Sequence, residues 1–282
     1  MGKEVLIILY DLSAAFDTVP HQLLIEKLRL YGFGQLSIEW MESYLSNRKQ
    51  FVEVSGKRSS KQEVNIGTPQ GSRLSPLLFI ILMADLDLWT ENSTLSNFAD
   101  DTQSIIVRED RKNLMETASS EANCVINFFR SNGLVNNADK AAVLYNSKGK
   151  SEVFTIENVG GENITSTYSE KLLGLHINAD FGWSTHIDYL SIELKKRIGV
   201  LRRIKKRVPK EKIVIIAEAI FNSLLRYGVA VFLKPIYEKE DLNMEKKNTA
   251  TLQTLQNNML RVIFGFKLQN RVNMKSLREE IK

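Results

Sequence analysis

Three aspartates at the ends of predicted strands are the residues of this sequence best suited to chemistry. Asp11 directly follows the apolar run Val5–Tyr10, which has the pattern of a buried strand. The adjacent pair Asp100–Asp101 separates two strand-like runs, Leu95–Ala99 and Thr102–Val107, and this predicts a hairpin with an acidic tip. A carboxylate at a strand end is held by a rigid sheet, and adjacent carboxylates repel each other unless a cation neutralises them.

These carboxylates are candidate ligands of a divalent cation. Mg²⁺ takes hard oxygen ligands, usually one or two carboxylates together with substrate phosphates and water. Two such ions about 3.5–4 Å apart serve in-line phosphoryl displacement. The sequence therefore predicts that Asp11, Asp100 and Asp101 are catalytic residues and metal ligands. The alternative is that each is an ordinary turn or capping residue, since aspartate is common in turns.

A glycine-rich loop, Gly67–Ser72, precedes a predicted helix. Its two glycines allow the backbone to approach a ligand closely, and Gln70 offers both a donor and an acceptor. Ser75 followed by Pro76 predicts a helix start with Ser75 as the N-cap, and the apolar sequence to Trp89 predicts burial on most sides. The loop is thus a candidate phosphate site at a helix N-terminus. A turn without a ligand is the alternative.

Helices and strands in mixed order are predicted around these motifs. Ser37–Ser46 has the pattern of a helix capped by Ser37, Gln50–Val54 and Lys171–Ile177 have that of strands, and Lys112–Ser131 that of a long amphipathic helix. Beyond residue 183 the chain has a helical pattern. This order argues for an α+β fold with an antiparallel sheet, followed by an all-helical part. All three tryptophans are predicted to anchor cores rather than to stack on bases, namely Trp40, Trp89 and Trp183.

Basic charge is concentrated in one window of the chain. Glu193–Lys212 contains ten basic and two acidic residues, a net charge of +8 against +5 for all 282 residues. Such a surface favours a nucleic-acid partner, with a solvated helix face as the alternative. A composition of 43% hydrophobic and 25% charged residues is typical of globular proteins. The single cysteine excludes a disulfide framework, and the sequence has neither a signal peptide nor an apolar run long enough to span a membrane. We therefore expect an intracellular protein of the nucleus or cytoplasm, without a membrane partner.

Five motifs in one order resemble the reverse transcriptases of non-LTR retrotransposons, jockey-like elements in particular. They are YDLSAAFDTVPH from Tyr10, GTPQGSRLSPLLF from Gly67, FADD from Phe98, GLVNNADKAAVL from Gly133 and KLLGLHI from Lys171. The resemblance extends over roughly residues 4–265. It implies a right-hand polymerase, with a palm made of an antiparallel sheet packed on helices, then a helical thumb and C-terminal helices. The implied bounds are 1–179 for the palm with partial fingers, 180–233 for the thumb and 234–282 for the C-terminal segment.

The resemblance also assigns roles around the acidic residues. It implies that Asp11 and Asp100 ligate two Mg²⁺ ions (Mn²⁺ is possible), that the Leu12 carbonyl helps to hold one of them, and that Asp101 completes the acidic tip. Phe16 would pack under the nucleotide sugar and leave no room for a 2′-hydroxyl, which selects deoxynucleotides. The alternative for Phe16 is a core aromatic residue.

Further roles follow for residues that bind the nucleotide and the nucleic acid. Gln70 and Gly71 would line the nucleotide pocket, and Lys140 would lie near the leaving pyrophosphate, although lysine is also an ordinary surface residue. Leu173–Gly174 matches a turn that grips the primer strand. The basic residues implied to contact the phosphates of a template–primer duplex are Lys195, Lys196, Arg202 and Arg203.

The implied reaction is RNA-directed DNA synthesis, with an RNA template, a DNA primer and dNTPs as partners and with the oligomeric state left open. Members of the family carry a sizeable fingers region ahead of the first palm motif, whereas this sequence begins ten residues before Asp11. We expect the basic fingers residues that clamp the triphosphate, an endonuclease domain and a Cys/His knuckle to be absent. A catalytically inactive nucleic-acid-binding remnant is therefore the rival interpretation. A palm-domain cyclase is a weaker one, against which the glycine-rich loop and the basic helices argue.

Overall fold

The chain folds around two separate hydrophobic cores. The computed structural model describes residues 3–137, 140–148, 150–159, 161–233 and 242–266. The two cores belong to two units, Met1–Tyr168 and Ser169–Lys282. The bounds implied by the resemblance, at residues 179 and 233, stay predictions, and of the predicted segment 234–282 only residues 242–266 are described.

Short strands and four helices make up the described part of the first unit. Its strands are β1 (Glu4–Tyr10), β2 (Leu12–Ser13), β3 (Arg48–Gln50), β4 (Glu53–Val54), β5 (Lys57–Arg58), β6 (Gln62–Val64), β7 (Thr94–Phe98), β8 (Asp101–Arg108), β9 (Val135–Asn136), β10 (Ala142–Ser147), β11 (Lys150–Ser151), β12 (Thr155–Val159) and β13 (Glu162–Thr165). Its helices are α1 (His21–Leu30), α2 (Gln35–Leu45), α3 (Ser75–Met83) and α4 (Arg111–Ser131), with single 3₁₀ turns at Ala15–Asp17 and Leu86–Trp89.

A five-stranded antiparallel sheet forms the centre of this unit, in the order β11–β10–β1–β8–β7. The central strand, β1, pairs with β8 on one side and β10 on the other, so that Ile7 lies opposite both Ile105 and Leu144. Every second residue of β1 is buried, and the Tyr10 ring meets the ring of Phe129 on α4 edge-on at 5.8 Å. The predicted α+β fold, with an antiparallel sheet packed on helices, is confirmed.

Helix α3 differs from its prediction in its start, its length and its burial. Ser75 is not the N-cap but the first helical residue, because its hydroxyl donates to the Pro69 carbonyl at 2.6 Å and ties the helix to the preceding loop. The helix ends at Met83 instead of residue 89. Leu77 and Ile80 are 49% and 56% exposed, so the predicted burial on most sides is wrong for this face.

Helix α2 also begins earlier than predicted, with Gly34 as its N-cap. The Gly34 carbonyl accepts hydrogen bonds from the backbone N–H groups of Ser37 and Ile38, at 2.9 and 3.1 Å, so Ser37 lies in the first turn rather than at the cap. The predicted strand at 50–54 is interrupted, because β3 ends at Gln50 and β4 begins at Glu53. Both strands belong to the paired arm that runs from β3 to β6.

In the second unit a hairpin precedes a group of helices. Its strands are β14 (Ser169–Leu172) and β15 (Leu175–Asn178), and its helices are α5 (Ser184–Ile204), α6 (Lys210–Ala217), α7 (Ser223–Arg226), α8 (Val229–Phe232) and α9 (Leu242–Phe264). The predicted single strand at 171–177 is therefore two strands joined by a turn at Leu173–Gly174. The helical pattern predicted beyond residue 183 is confirmed for the described helices between residues 184 and 264, whereas 234–241 and 267–282 lie outside the described residues. Among the described residues, no helix combines the length and apolarity that crossing a bilayer demands.

Candidate active site

The register of the central sheet brings the acidic residues to one edge. Tyr10 pairs with Thr102 in the antiparallel β1–β8 ladder, so Asp11 and Asp101 are the next residues on the two neighbouring strands. Phe98 and Asp101 close the β7–β8 hairpin, so its two-residue tip is Ala99–Asp100 and the predicted tip, Asp100–Asp101, is wrong by one residue. Ala99 has a φ of 54°, a left-handed conformation that a tight hairpin demands and that glycine usually supplies.

The three carboxylates influence one another electrostatically. Burial raises the pKa of Asp101 above its ordinary value, and the negative charges of Asp100 and Asp11 raise it further. On the other side, the Lys140 ammonium lies 3.5 Å from Asp11 Oδ2. The chemistry of this donor set therefore suits a cation, because a bound cation relieves the repulsion that raises the pKa of Asp101.

Proximity of the carboxylates does not amount to a formed metal cluster. Within the ranges that the structure describes, no three His, Cys, Asp or Glu side chains lie close enough together to hold an ion. Leu12, the predicted carbonyl ligand, is the first residue of β2, where it pairs with Asn136 and buries its side chain. The side chain of Asp11 is 39% exposed, so water reaches this edge of the sheet.

Two consecutive backbone hydrogen bonds hold Lys140 beside Asp11. The Asn137 N–H donates to the Asp11 carbonyl at 2.8 Å, and the Lys140 N–H donates to the Asn137 carbonyl at 3.1 Å. The Lys140 side chain is 69% exposed. A cation on an exposed, flexible stem at this position can move between Asp11 and a phosphate of a bound ligand.

Phe16 lies on the 3₁₀ turn that follows β2. Its ring is half-buried and meets the Phe79 ring at 4.9 Å with a tilt of 37°. Its carbonyl accepts the Thr68 N–H at 2.8 Å, which connects this turn to the glycine-rich loop. Phe16 therefore has one side in the core and one outside it, and both interpretations made from the sequence stay open.

The glycine-rich loop is held tightly against the same turn. The Gly67 N–H donates to the Val19 carbonyl at 2.8 Å, and His21 Nε2 lies 2.6 Å from the Gly67 carbonyl. A Cβ at Gly67, whose φ is +83°, would lie only 2.6 Å from the backbone oxygen of Asp17. Only glycine fits such a close approach, so residue 67 fixes the loop beside the residues that follow Asp11.

Gln70 is oriented by a residue that the sequence did not single out. Its side-chain amide donates to both carboxylate oxygens of Asp17, at 2.9 and 3.1 Å. Gln70 and the neighbouring Gly71 are exposed, as a ligand-binding position requires. Asp17 lies within the quoted run YDLSAAFD, but its 53-residue separation from Gln70 gave no signal of their contact.

A second cluster that the sequence did not reveal lies at the other end of the loop. The hydroxyl oxygens of Tyr44 and Ser72 lie 2.6 Å apart and share a hydrogen bond. The rings of Trp40 and Tyr44 stack with an angle of 10° between their planes, and the Arg48 guanidinium lies 4.4 Å from the centre of the Tyr44 ring. Trp40 is 55% exposed. Its prediction as a core anchor is wrong, because the buried face of α2 carries other residues: Ile38, Met41 and Leu45.

The other two tryptophans lie closer to their predicted settings. Trp89, although 39% exposed, meets the buried Phe128 ring edge-on at 5.7 Å. Trp183 is partly buried and packs against the core of the second unit.

In the second unit, the predicted primer-gripping turn is braced by Tyr227, the residue that follows α7. Leu173 has a φ of 46°, and its carbonyl accepts a hydrogen bond of 2.5 Å from the hydroxyl of Tyr227. A Cβ at Gly174 would lie 3.1 Å from the Tyr227 ring. The turn is therefore held in one conformation, with the Leu173 side chain 41% exposed.

The basic window divides into exposed and structural residues. All four predicted phosphate contacts on α5 are exposed: Lys195, Lys196, Arg202 and Arg203. Lys196 also pairs with Glu193 at 2.6 Å. Two other members hold helices together instead, since Arg197 donates to the Ile220 carbonyl and Lys205 donates to the Val262 carbonyl at 3.3 Å. The four exposed residues on α5 are called its basic face below: Lys195, Lys196, Arg202 and Arg203.

Sequence comparison aligns most of this chain with polymerases of mobile elements. The RNA-directed DNA polymerase from mobile element jockey of Drosophila melanogaster is 28% identical over 242 residues, which cover 78% of this chain and 25% of that protein. The jockey polymerase of Drosophila funebris is 26% identical over 274 residues, 90% of this chain and 28% of that protein. The chain thus spans about a quarter of the length of these relatives.

Among solved structures, a telomerase from Candida albicans in complex with a fragment of telomeric RNA aligns at 12% identity with a TM-score of 0.48, over 95% of this chain and 52% of that chain.

The sequence profile of the family described as "Reverse transcriptase (RNA-dependent DNA polymerase)" matches residues 1–194. This match includes the acidic sheet edge, the glycine-rich loop and the Leu173–Gly174 turn. Because it extends over more than half of the sequence, the chain belongs to the reverse transcriptase family.

Proposed function

We propose that this chain carries the polymerase site of an RNA-directed DNA polymerase of a non-LTR retrotransposon. The observation that carries the proposal is the β1–β8 register, which brings Asp11 next to Asp100–Asp101 in a chain of the reverse transcriptase family. The reaction is attack of a primer 3′-hydroxyl on the α-phosphate of a dNTP, with pyrophosphate as the leaving group. An RNA template directs the choice of dNTP.

Two Mg²⁺ ions, or Mn²⁺ in their place, are the proposed cofactors. Asp11, Asp100 and Asp101 would hold them, with the Leu12 carbonyl as a further ligand. Bound ions would supply positive charge to the attacking and leaving oxygens. The raised pKa of Asp101 is consistent with this assignment, because burial is its main cause and the negative charges of Asp100 and Asp11 add to it.

The neighbouring side chains position the nucleotide. Asp17 fixes the amide of Gln70, so that this residue and Gly71 present an ordered edge to the base and sugar. Lys140 neutralises charge on the departing pyrophosphate, which stabilises the transition state electrostatically. Phe16 limits the space beside the sugar. In such a site catalysis rests mainly on orientation and charge, since the protein forms no covalent bond to the substrate.

Contacts to the nucleic acid are proposed for the second unit. The braced turn at Leu173–Gly174 would contact the primer strand, and the basic face of α5 would contact phosphates of the template–primer duplex. Phosphate contacts of this kind are independent of sequence and weaken with salt. A nuclear or cytoplasmic location is also part of the proposal.

Primer extension tests the proposal. The purified chain should bind a DNA primer annealed to an RNA template and extend it at most weakly with dNTPs and Mg²⁺ or Mn²⁺, whereas Asp100→Asn should remove any extension and leave duplex affinity within a few-fold. Asp87→Asn, which changes an exposed aspartate outside the site, is the matched control and should extend as the parent does. Full extension by the Asp100→Asn protein contradicts the metal assignment. Duplex binding without metal-dependent extension favours the rival interpretation, a catalytically inactive nucleic-acid-binding remnant.

A further inference from the structure

The row formed by Trp40, Tyr44 and Arg48 is built differently from an ordinary helix surface. Tyr44 contacts both of the others, through ring stacking at 5.7 Å between centroids and through the guanidinium at 4.4 Å. Arg48 is held in place because its Nε donates to the Tyr44 carbonyl at 2.6 Å. The stack is thus an ordered, planar surface whose end, Trp40, is more than half exposed to solvent.

This aromatic row is attached to the loop proposed to bind the nucleotide. The Tyr44–Ser72 hydrogen bond joins it to Gly67–Ser72, and Arg48 also lines a cavity of about 730 Å³ that Gln70 and Asp17 border from the other side. The remaining charged groups of the cavity are Lys49 and Glu63, which pair at 3.5 Å. Trp40 is therefore connected through Tyr44 to Ser72 of the loop, and through Tyr44 and Arg48 to the cavity that Gln70 borders.

Charge around the row favours nucleic acid over an apolar protein partner. The arm 46–66 has five basic and two acidic residues, a net charge of +3. Its Phe51 is 41% exposed with the Arg58 guanidinium 5.1 Å from the ring centre, a second exposed pairing of an aromatic with a cation. Proteins that bind single strands combine aromatic platforms with a positive groove in this way.

We propose that Trp40, supported by Tyr44 and Arg48, is a stacking platform for an unpaired base of the single-stranded RNA template next to the nucleotide-binding loop. The inference rests on the proposed polymerase function and adds a binding site to it. Stacking on the Trp40 indole holds the base in place, and the cations of the arm meet the backbone phosphates. Because every base has an aromatic face, the platform accepts any template sequence.

The first test compares two ligands of the 282-residue chain, a primed RNA template with a 5′ single-stranded overhang and the same duplex with a blunt end. Trp40→Ala should weaken binding of the overhang ligand roughly five- to a hundred-fold, because stacking on one base is removed. Binding of the blunt duplex should change less than about two-fold. Leu36→Ala is the matched control, since this residue lies one turn earlier on α2 and is 83% exposed. It should leave both affinities unchanged.

The second test removes the base instead of the ring and therefore does not depend on how a variant folds. An abasic nucleotide is placed at each overhang position in turn. The parent protein should lose affinity at one position, and Trp40→Ala should be insensitive there. Trp40→Phe should retain part of the effect because a smaller ring still stacks.

Three outcomes overturn the proposal: an abasic scan of the parent protein with no sensitive position, equal losses for Trp40→Ala and Leu36→Ala, or self-association of the chain that depends on both residues. Equal losses would show that the ring itself is not the binding element, and self-association would identify an apolar protein-docking surface. A failure of the polymerase proposal can be told apart from these outcomes. In that case the protein does not extend the primer, but its binding of the overhang still depends on Trp40.

Discussion

Lys140 and Asp11 form an ion pair whose weakness is useful for the proposed reaction. Their atoms lie 3.5 Å apart, and their side chains are 69% and 39% exposed. Exposed pairs contribute between zero and about 1 kcal/mol, so solvent competition already balances most of the attraction. The lysine can therefore leave the carboxylate for a phosphate at little cost in free energy, while a buried pair could not.

A substitution at Phe16 separates its two candidate roles. Phe16→Val should raise the efficiency of ribonucleotide incorporation relative to deoxynucleotide, because the smaller side chain leaves space for a 2′-hydroxyl. The ratio of kcat/KM for a matched rNTP and dNTP measures this. Some loss of stability, about 1–3 kcal/mol, is expected as well, since half of the ring packs on Phe79.

Phe154→Leu is the matched control for that ratio. Phe154 is buried and packs on Tyr145 rather than on Phe16, so its truncation should reduce stability without changing sugar selection. If Phe16→Val lowers stability and leaves the ratio unchanged, Phe16 is a core residue alone.

The glycine-rich loop is held against the turn that contains Asp17, and substitutions at Gly67 and Gly71 test this packing. Gly67→Ala should destabilise the protein by more than Gly71→Ala, by about 1 kcal/mol or more. Both have left-handed φ angles, +83° and +80°, which cost alanine about 1–2 kcal/mol. At residue 67 the added Cβ would also clash with the backbone of Asp17, whereas at residue 71 it would contact nothing. Urea unfolding of the two variants measures the difference, and equal losses would show that the loop can move away from the Asp17 turn.

The basic face of α5 is expected to act as one element in binding. Replacing Lys195, Lys196, Arg202 and Arg203 with alanine should weaken duplex binding and flatten its salt dependence. Each contact between a basic side chain and a phosphate that is lost should reduce the slope of log affinity against log salt concentration by about 0.9 on B-DNA. A control that exchanges each lysine for arginine and each arginine for lysine keeps the charge and should keep the slope. An unchanged slope in the alanine protein would mean that the face is only solvated.

The sheet could be predicted from the sequence better than the surfaces could. A continuous apolar run located β1, and two strand-like runs around the acidic pair located β7 and β8. Their pairing follows from antiparallel geometry, so the acidic edge was accessible to prediction. The position of Trp40 was not, because periodicity determines which residues share a helix face but not which face meets the core. For the same reason the exposure of Ile80 on an apolar helix was missed. Capping by Ser75 failed because its hydroxyl bonds to Pro69, a contact between elements.

At the scale of the whole molecule, the described residues form two hydrophobic cores, and one of them contains a buried histidine. His186 is 1% exposed, and burial, with a smaller effect from the neighbouring His176, lowers its pKa to about 4. Its Nδ1 accepts the His176 backbone N–H at 3.4 Å. In the unfolded chain the pKa returns to about 6.5. The unfolded state therefore binds a proton first as the pH falls, so stability is lost between about pH 6.5 and 4 and then levels off.

Acid should accordingly destabilise the second unit, by about 2–4 kcal/mol, and His186→Gln should remove most of this dependence. Urea unfolding at pH 7 and pH 4.5, followed by the fluorescence of Trp183, measures it, because the indole lies 6.3 Å from the His186 ring. Replacing Trp40 and Trp89 with phenylalanine isolates that signal. An equal acid response in the parent and in His186→Gln would assign the effect to other groups.

The pairing of β1 has a consequence for how the protein is made. The ribosome synthesises β1 well before one of its two partners, β10, which ends at Ser147, 137 residues (147 − 10) after Tyr10. At roughly 5–20 residues per second, about 7–30 seconds pass before that partner is synthesised. During this interval the run VLIILY, which is apolar and has strong β propensity, lacks at least one of its two neighbouring strands and is prone to pair with other chains. Slow translation or a shortage of chaperones should therefore reduce the yield of folded protein before any step of the reaction matters.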